Sequence, residues 1–309
     1  MILKEKDSID KNLEKLENIK ELPNLPQDKL AKVEKEIKLL RSGNKGEQDS
    51  AYFIDFYYKE SRNWVVIHDL RIENNGFVAQ IDHLLINRFL DFYVLESKHY
   101  AQGIKVTERG EFLVSFQKRY IAIESPVEQN QRHIKVLKDL LNREELLPKR
   151  LGFSLQPNFL PYILISPKSR VIRPKAKDFN TDMLIKADEF YKKTQDNINN
   201  ESLISSVGSM AKTISRDSLK AIGERLVRYH RPAKINYYDK FGIPESTESK
   251  HPDTEAEAEK GSSKQDESKY YCFKCKKIIS KKVASFCFSN KTRFKGKAYC
   301  FTCQKLFEK

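Results

Sequence analysis

The sequence predicts an α/β (α+β) fold in which a mixed sheet is flanked by helices. Short apolar runs rich in β-branched and aromatic residues occupy the middle of the chain, as in strands. Segments with apolar residues at helical spacing lie on both sides of these runs. The resulting order of helix, several strands, helix, strand and helices is typical of layered folds that contain both element types.

The first segment, residues 1–41, is predicted to be a charged helical arm. Val33 and Ile37 belong to an apolar series at helical spacing. Pro23 and Pro26 interrupt the series and are expected to separate two helices. We expect the arm to be solvated or to pack on itself.

A core is predicted for residues 42–170, beginning with a turn at Gly43 that leads into a helix. The predicted strands are Trp64–Leu70, Val78–Ile86, Phe92–Leu95, Phe112–Phe116 and Leu160–Ile165. Pro126 is expected to begin a helix that ends near Leu141. Residues 171–243 are predicted to be a mostly helical extension that packs on this core.

The charge is distributed unevenly along the 309 residues, whose formal net charge is +14. Residues 244–269 have a net charge of −4 and almost no apolar side chains, so they are predicted to be a disordered acidic linker. Residues 270–309 have a net charge of +10. The excess of basic residues favours an anionic partner, most simply nucleic acid. The alternative is that the lysines only keep the chain soluble.

Membrane insertion and export are not predicted. No stretch reaches the roughly 18 apolar residues of a membrane helix, and the first residues lack the apolar centre of a signal peptide. We therefore expect a cytoplasmic protein without a membrane partner.

All five cysteines lie between Cys272 and Cys303, and four of them form two Cys-x-x-Cys pairs separated by 24 residues. Two such pairs supply the four thiolates of a tetrahedral structural zinc site. The predicted ligands are Cys272, Cys275, Cys300 and Cys303. Since about forty residues bury little apolar surface, Zn²⁺ is expected to hold a small zinc-ribbon-like module together. Cys287 is expected to be a buried structural thiol.

The same module carries candidate nucleic-acid contacts, because bases alternate with aromatic residues there. The candidates are Lys281, Lys282, Lys291, Arg293, Lys295 and Lys297. Phe286, Phe288, Phe294, Tyr299 and Phe301 are the aromatic residues concerned; they stack on bases or, equally, form the module's small core.

Three charged residues on neighbouring predicted strands indicate possible chemistry. Asp82 lies inside an apolar run, where an ionised carboxylate is costly unless it is paired or binds a metal. Glu96 and Lys98 are two residues apart, so on a strand they project to the same face. Two carboxylates and a lysine suit metal-assisted phosphodiester hydrolysis. The alternative is a charged pair on a solvated strand face.

These residues belong to a series of motifs that resembles the NERD (nuclease-related) domain of the PD-(D/E)XK nuclease superfamily over about residues 43–165. The matching positions are Gly43, Gly46 and Glu47, then Asp82, then Glu96 and Lys98, then Pro126 and Gln129. The segment around His230 resembles the stretch that often follows this domain in bacterial relatives, and His230 itself is expected to be structural.

The resemblance implies a restriction-endonuclease-like core in a bacterial-type protein. It implies that Asp82 and Glu96 bind Mg²⁺ or Mn²⁺ and that Lys98 is the catalytic lysine. It also implies that Glu47 approaches the metal and that Gln129 orients substrate or water. His99 departs from the family, which often has asparagine at this position.

The predicted function is therefore a metal-dependent nuclease that acts on nucleic acid, with DNA favoured over RNA. Two alternatives stay open. The chain could bind nucleic acid without cleaving it, or it could use the zinc module as an adaptor for protein partners.

Overall fold

The computed structural model describes residues 1–116, 119–204, 213–244, 270–275, 278–279 and 281–304. The chain forms two compact units, Met1–Ser246 and Thr247–Lys309. Nearly all of the predicted acidic linker, residues 245–269, lies outside the described residues.

Helices occur near both ends and in the middle of the first unit. They are α1 (Asp10–Lys20), α2 (Gln27–Tyr58), α3 (Pro126–Arg143), α4 (Phe190–Ile204), α5 (Arg216–Arg228) and α6 (Tyr237–Phe241), with a 3₁₀ turn at Ala187–Glu189. Within the described residues, no helix is long and apolar enough to span a membrane.

The strands of this unit fall mostly between α2 and α4. They are β1 (Ile2–Lys4), β2 (Trp64–Asn74), β3 (Phe77–Asn87), β4 (Asp91–Lys98), β5 (Ile104–Val106), β6 (Phe112–Phe116), β7 (Arg119–Ile123), β8 (Lys149–Arg150), β9 (Phe153–Ser154), β10 (Asn158–Ile165), β11 (Val171–Ile172) and β12 (Leu184–Lys186).

The main sheet is mixed, as predicted, and has the strand order β1-β2-β3-β4-β10-β12. Strands β2, β3 and β4 are antiparallel neighbours. The pairs β1–β2, β4–β10 and β10–β12 are parallel. A second sheet has the order β11-β5-β6-β7 and includes the chain that connects β4 to α3.

Alternating side chains of the main sheet enter two separate cores. Val65 and Ile67 pack on one face, in the core that α3 and α5 complete. Trp64 and Val66 pack on the other face, against the end of α2 and the start of α4. This period of two explains why the apolar runs predicted the strands correctly.

The helix α2 differs from the structure predicted for its residues. The turn predicted at Gly43 is wrong, because one helix runs through Gly43 and Gly46 from Gln27 to Tyr58. A Cβ on Gly46 would lie 2.8 Å from Cβ of His99, so the glycine permits close contact between the helix and the residue that follows β4. The boundary proposed between residues 41 and 42 thus falls inside a helix.

Two segments predicted as helical also contribute strands. Residues 2–4 form β1 at one edge of the main sheet, and residues 184–186 form β12 at the other. The short lengths of these strands explain why no run of apolar residues marked them.

The second unit contains β13 (Tyr270–Tyr271), β14 (Ile278–Ile279), α7 (Lys281–Ser289), α8 (Lys291–Phe294) and α9 (Phe301–Gln304). Strands β13 and β14 are antiparallel. Its core includes Cys287, Phe294 and Tyr299.

Candidate active site and cysteine cluster

The candidate active site lies where β3 and β4 separate. The two strands pair from Ile86 and Phe92 as far as His83 and Leu95, and their pairing ends there. The next residues of β4, Glu96 to Lys98, pair only with β10 on the other side. Asp82 lies at the opening, and its Oδ2 accepts a hydrogen bond of 2.7 Å from the backbone N–H of Ser97.

The ladder between β2 and β3 is interrupted at the same level. Asp69 and Asp82 lie opposite each other between two paired positions but are themselves unpaired. Asp69 has φ of 51°, a conformation that non-glycine residues seldom adopt. It is buried, and its Oδ1 accepts a 3.0 Å hydrogen bond from Gln80. Such strain is common at functional sites.

The interruption also shifts the alternation of both strands. In β3, Ala79 and Ile81 face the α3 side, and the next residues to do so are Leu84 and Ile86. Ile81 and Leu84 are three residues apart instead of two, so the strand contains one extra residue here. Asp82 therefore does not follow the apolar alternation, and its carboxylate lies at the opening between β3 and β4. Sequence alternation alone cannot reveal this shift.

The structure brings Asp82, Glu96, Lys98 and Gln129 together. The Nζ of Lys98 donates to Oε1 of Glu96 at 2.7 Å and to Oε1 of Gln129 at 3.2 Å. Gln129 reaches the site from the first turns of α3. The helix is positioned there by Ser125, whose hydroxyl accepts from the backbone N–H of Glu128 and caps its start.

Burial and like charges raise the pKa values of both carboxyl groups. Burial raises the pKa of Asp82 well above its ordinary value, and the charges of Glu96 and Glu47 raise it further. Burial also raises the pKa of Glu96, although the neighbouring Lys98 ammonium opposes this effect. In the metal-free protein, the charged forms of both carboxyl groups are therefore poorly stabilised.

Glu47 is close enough to affect both carboxyl groups but is held by another partner. Its Oε2 forms an ion pair of 2.7 Å with Nζ of Lys6. Both residues line a recess of about 340 Å³ that also contains Asp69 and Gln80. No local sequence pattern indicates this contact of Lys6, because forty residues separate it from Glu47.

Asp82 and Glu96 fit a divalent cation such as Mg²⁺ by their chemistry. Carboxylate oxygens are the ligands that such hard cations prefer. Among the described residues, the buried Oε2 atom of Glu96 has no hydrogen-bond partner, and a cation would compensate its charge. A cation would also remove the repulsion that raises the two pKa values.

His133 is a second neighbour that the sequence analysis missed. It lies one turn after Gln129 in α3, with Nδ1 3.5 Å from Oε2 of Glu96. Burial, Lys98 and Arg132 lower its pKa to about 4. It is therefore a neutral imidazole at neutral pH, beside the carboxylate that Lys98 also contacts.

A chain of buried hydrogen bonds runs behind Asp82. His68 contacts Asp55 through Nε2 at 2.9 Å and His83 through Nδ1 at 2.7 Å, and Nε2 of His83 contacts Oγ of Ser97 at 3.0 Å. A carboxylate only accepts, so His68 donates to Asp55; with both imidazoles neutral, His83 then donates to His68, and Ser97 donates to His83. Burial, His68 and Lys6 keep the pKa of His83 well below its ordinary value. His83 supports the residue whose N–H binds Asp82.

His230, which was expected to be structural, joins distant parts of the first unit. Its Nδ1 accepts from the backbone N–H of Arg71 at 3.1 Å, and its Nε2 lies 2.9 Å from Oδ2 of Asp7.

In the second unit, the four predicted zinc ligands converge. The sulfur atoms of Cys272, Cys275, Cys300 and Cys303 lie within 4.8 Å of one another. Backbone N–H groups of the Cys-x-x-Cys turns point at these sulfurs: that of Cys303 lowers the pKa of Cys300. Such donors stabilise thiolates, the form that binds zinc.

Cys287 is excluded from this cluster. It is buried, and its sulfur accepts from the backbone N–H of Tyr299 at 3.3 Å and from Nε2 of Gln304 at 3.2 Å. These contacts fit the structural thiol that the sequence predicted.

The basic and aromatic residues of this unit divide between core and surface. Phe294 and Tyr299 belong to the core, whereas Phe286 and Phe288 are exposed. Arg293, Lys295 and Lys297 are exposed. The side chains of Lys281, Lys282, Lys291 and Phe301 lie outside the described part of the chain.

Among the described residues, one further group has metal-capable atoms within 4.8 Å of one another, namely Glu5, Asp55 and His68. Nε2 of His68 already forms a hydrogen bond with Asp55, so these side chains have partners without a metal ion.

Comparison with known families agrees with this geometry. Residues 42–166 match the family described as the nuclease-related domain, NERD. No curated protein and no solved structure matches the chain. The matched range contains Glu47, Asp82, Glu96, Lys98 and Gln129. The chain therefore carries a nuclease-related domain at residues 42–166, followed by a four-cysteine cluster that fits a zinc-binding module.

Proposed function

We propose that this protein is a metal-dependent nuclease that hydrolyses phosphodiester bonds, with DNA preferred over RNA as the substrate. The observation that carries the proposal is the position of Lys98. Its ammonium lies within hydrogen-bond distance of Glu96 and Gln129, at the opening where Asp82 lies.

Asp82 and Glu96 are proposed to hold Mg²⁺ or Mn²⁺. When bound, the ion would supply a water of lowered pKa and offset negative charge on the phosphate. Glu47 is proposed to approach the ion from α2, which requires it to loosen its ion pair with Lys6.

The remaining polar groups are proposed to position the substrate. Lys98 would hold the attacking oxygen in line with the scissile phosphate and stabilise the charge that develops there. Gln129 would fix the orientation of the Lys98 ammonium through the hydrogen bond that it accepts. The splayed strands leave the phosphate a route to these groups that a continuous sheet would close.

The zinc module is proposed to add affinity for nucleic acid. Its exposed Arg293, Lys295 and Lys297, together with Lys281, Lys282 and Lys291, would contact phosphates. Connection to the core by a single chain raises the local concentration of substrate near the active site.

Cleavage of labelled single- and double-stranded DNA and RNA tests the proposal. The full chain should cleave with added Mg²⁺ or Mn²⁺ and not without it. Metal should be omitted rather than chelated, so that zinc is retained. Lys98→Ala and Asp82→Ala should each reduce the rate by at least about a hundredfold, the usual effect of losing one group that stabilises the transition state.

Lys220→Ala, which removes an exposed lysine of α5, is the matched control and should leave the rate unchanged. Retention of cleavage by both site variants would show that the site lies elsewhere. Binding without cleavage of any substrate would instead identify a nucleic-acid-binding protein.

A further inference from the structure

A second basic surface lies on the first unit, outside the zinc module. Residues 168–177, the basic strip, contain five cationic side chains and no acidic ones. They are Lys168, Arg170, Arg173, Lys175 and Lys177, and all five are exposed. Within the described residues, none of the five has a carboxylate oxygen within 4.0 Å. A run of unneutralised cations is suited to phosphate groups.

The strip is joined directly to the active site. Ile165, the last residue of β10, pairs with Lys98, and the N–H of Ser166 donates to the Lys98 carbonyl at 3.2 Å. Lys168 follows three residues after Ile165, so its backbone lies within about 11 Å of that residue. Ile165 is the residue that pairs with Lys98, the proposed catalytic lysine. That reach of about 11 Å is at most about three nucleotide steps of a strand in a duplex.

The backbone of the strip is held in a fixed position. Nζ of Lys186 donates to the carbonyls of Ser166 and Pro167, each at 3.2 Å, and also to that of Ser169. The carbonyl of Arg170 accepts from the N–H of Ile104 at 2.8 Å. Anchoring of this kind lowers the entropic cost of binding a ligand.

The adjoining sheet adds an aromatic platform. Tyr120 of β7 is exposed and lines a small cavity together with Gln102, Ser115 and Arg170. Nζ of Lys105 lies 5.3 Å from the centre of its ring. A tyrosine beside cations is the combination by which proteins bind single strands, with bases stacked and phosphates paired.

We propose that the basic strip and Tyr120 bind one strand of the nucleic acid where it leaves the active site. The cations contact phosphates, and Tyr120 stacks on an unpaired base. The ligand class is single-stranded nucleic acid or a frayed end of a duplex. This assignment rests on the proposed function for its position, although the binding itself can be measured without cleavage.

The test is binding of the full chain to a fluorescein-labelled oligothymidylate of about 20 nucleotides, which exceeds the footprint of a single-strand-binding fold. Anisotropy is measured over a range of salt concentrations without added divalent metal. Arg170→Gln, Lys175→Gln and Lys177→Gln are combined in one variant. Since the Arg170 contact to Ile104 uses the backbone, this variant keeps it.

The salt dependence of binding should weaken in this variant. Each lost phosphate contact lowers the log–log slope by about 0.7, so three lost contacts lower it by about 2. Tyr120→Leu should keep the slope and weaken binding by about fivefold to a hundredfold, the range for one stacked base.

A matched variant carries Lys35→Gln, Lys38→Gln and Lys192→Gln, which remove three exposed cations elsewhere on the same unit. It should keep the wild-type slope. Equal slopes for the strip variant and the wild type, or an equal loss in the matched variant, would overturn the inference. If the slope changes as predicted but the protein cleaves no substrate, only the nuclease proposal is contradicted.

Discussion

At the scale of single residues, the candidate active site is built from groups that oppose the stability of the metal-free protein. Asp82 and Glu96 have pKa values raised by burial, so they favour the protonated form in the folded state. A group whose folded-state pKa lies above its unfolded value stabilises the fold fully at pH below the unfolded pKa. That stability is lost as the pH rises through the folded pKa, so at neutral pH both carboxylates are a burden.

We therefore expect Asp82→Asn to raise the thermal stability of the metal-free protein. The amide oxygen can still accept from Ser97, and the charge is removed. A gain of about 1 kcal/mol is typical when a functional group is replaced in this way, and it raises the melting temperature by a few degrees. Calorimetry without Mg²⁺ measures the change.

Asp91→Asn is the appropriate comparison. Asp91 is also buried, but its Oδ2 accepts from Nδ2 of Asn87 at 2.7 Å and its Oδ1 from Nδ2 of Asn158 at 3.2 Å. This substitution should lower the melting temperature, because the carboxylate is well satisfied. A lower melting temperature for Asp82→Asn as well would contradict the account of the site.

The sequence could predict only those site residues that a local pattern marks. Asp82, Glu96 and Lys98 stood out because charges interrupt apolar runs. His68, His83 and Ser97 form their hydrogen-bonded chain only when three strands align. Lys6 and Glu47 meet only because the N-terminal segment crosses α2.

At the scale of elements, α2 contains a glycine pair that is compatible with either a turn or a helix. Two glycines within four residues predicted a turn. The helix accommodates both glycines. Gly46 allows His99 to approach, whereas an added Cβ on Gly43 would have, among the described residues, only the Glu47 carboxylate within 4.0 Å.

The two glycines should therefore respond oppositely to alanine. Gly43→Ala should stabilise the protein by about 0.5–1 kcal/mol, because alanine favours a helix and meets no obstacle. Gly46→Ala should destabilise it by about 1–3 kcal/mol, because its methyl group displaces His99. Denaturant unfolding of both variants measures the difference; equal effects would show that the close contact is unimportant.

Strand prediction followed strand length, except at β7, which has five residues and was not predicted. Runs such as Trp64–Leu70 and Val78–Ile86 contain enough alternation to identify β2 and β3. Strands of two or three residues, including β5, β11 and β12, contain too little. These strands form because longer neighbours offer them hydrogen-bonding edges.

At the scale of the whole molecule, the metal requirements of the two units are expected to be separate. The four sulfur atoms of the cysteine cluster all belong to the second unit, whereas Asp82 and Glu96 belong to the first. A unit with so small a core is expected to depend on a bound metal for folding.

Cys300→Ser should therefore remove bound zinc and hydrogen-exchange protection from residues 270–304. Amides of β2 should keep their protection. Metal analysis should give one zinc per chain for the wild type and for Cys287→Ser, since Cys287 lies outside the cluster. Loss of zinc in Cys287→Ser would assign that thiol to the metal instead.

The interruption at Asp69 and Asp82 has a consequence for how this hairpin could change during evolution. On one side of it, β3 is joined to β4; on the other, the ribbon continues to the turn at Asn75 and Gly76 without that neighbour. An added Cβ on Gly76 would meet no atom within 4 Å. Insertions at this turn would lengthen the ribbon without altering the spacing of Asp82, Glu96 and Lys98. Related proteins could therefore acquire new substrate contacts there and keep the same set of site residues.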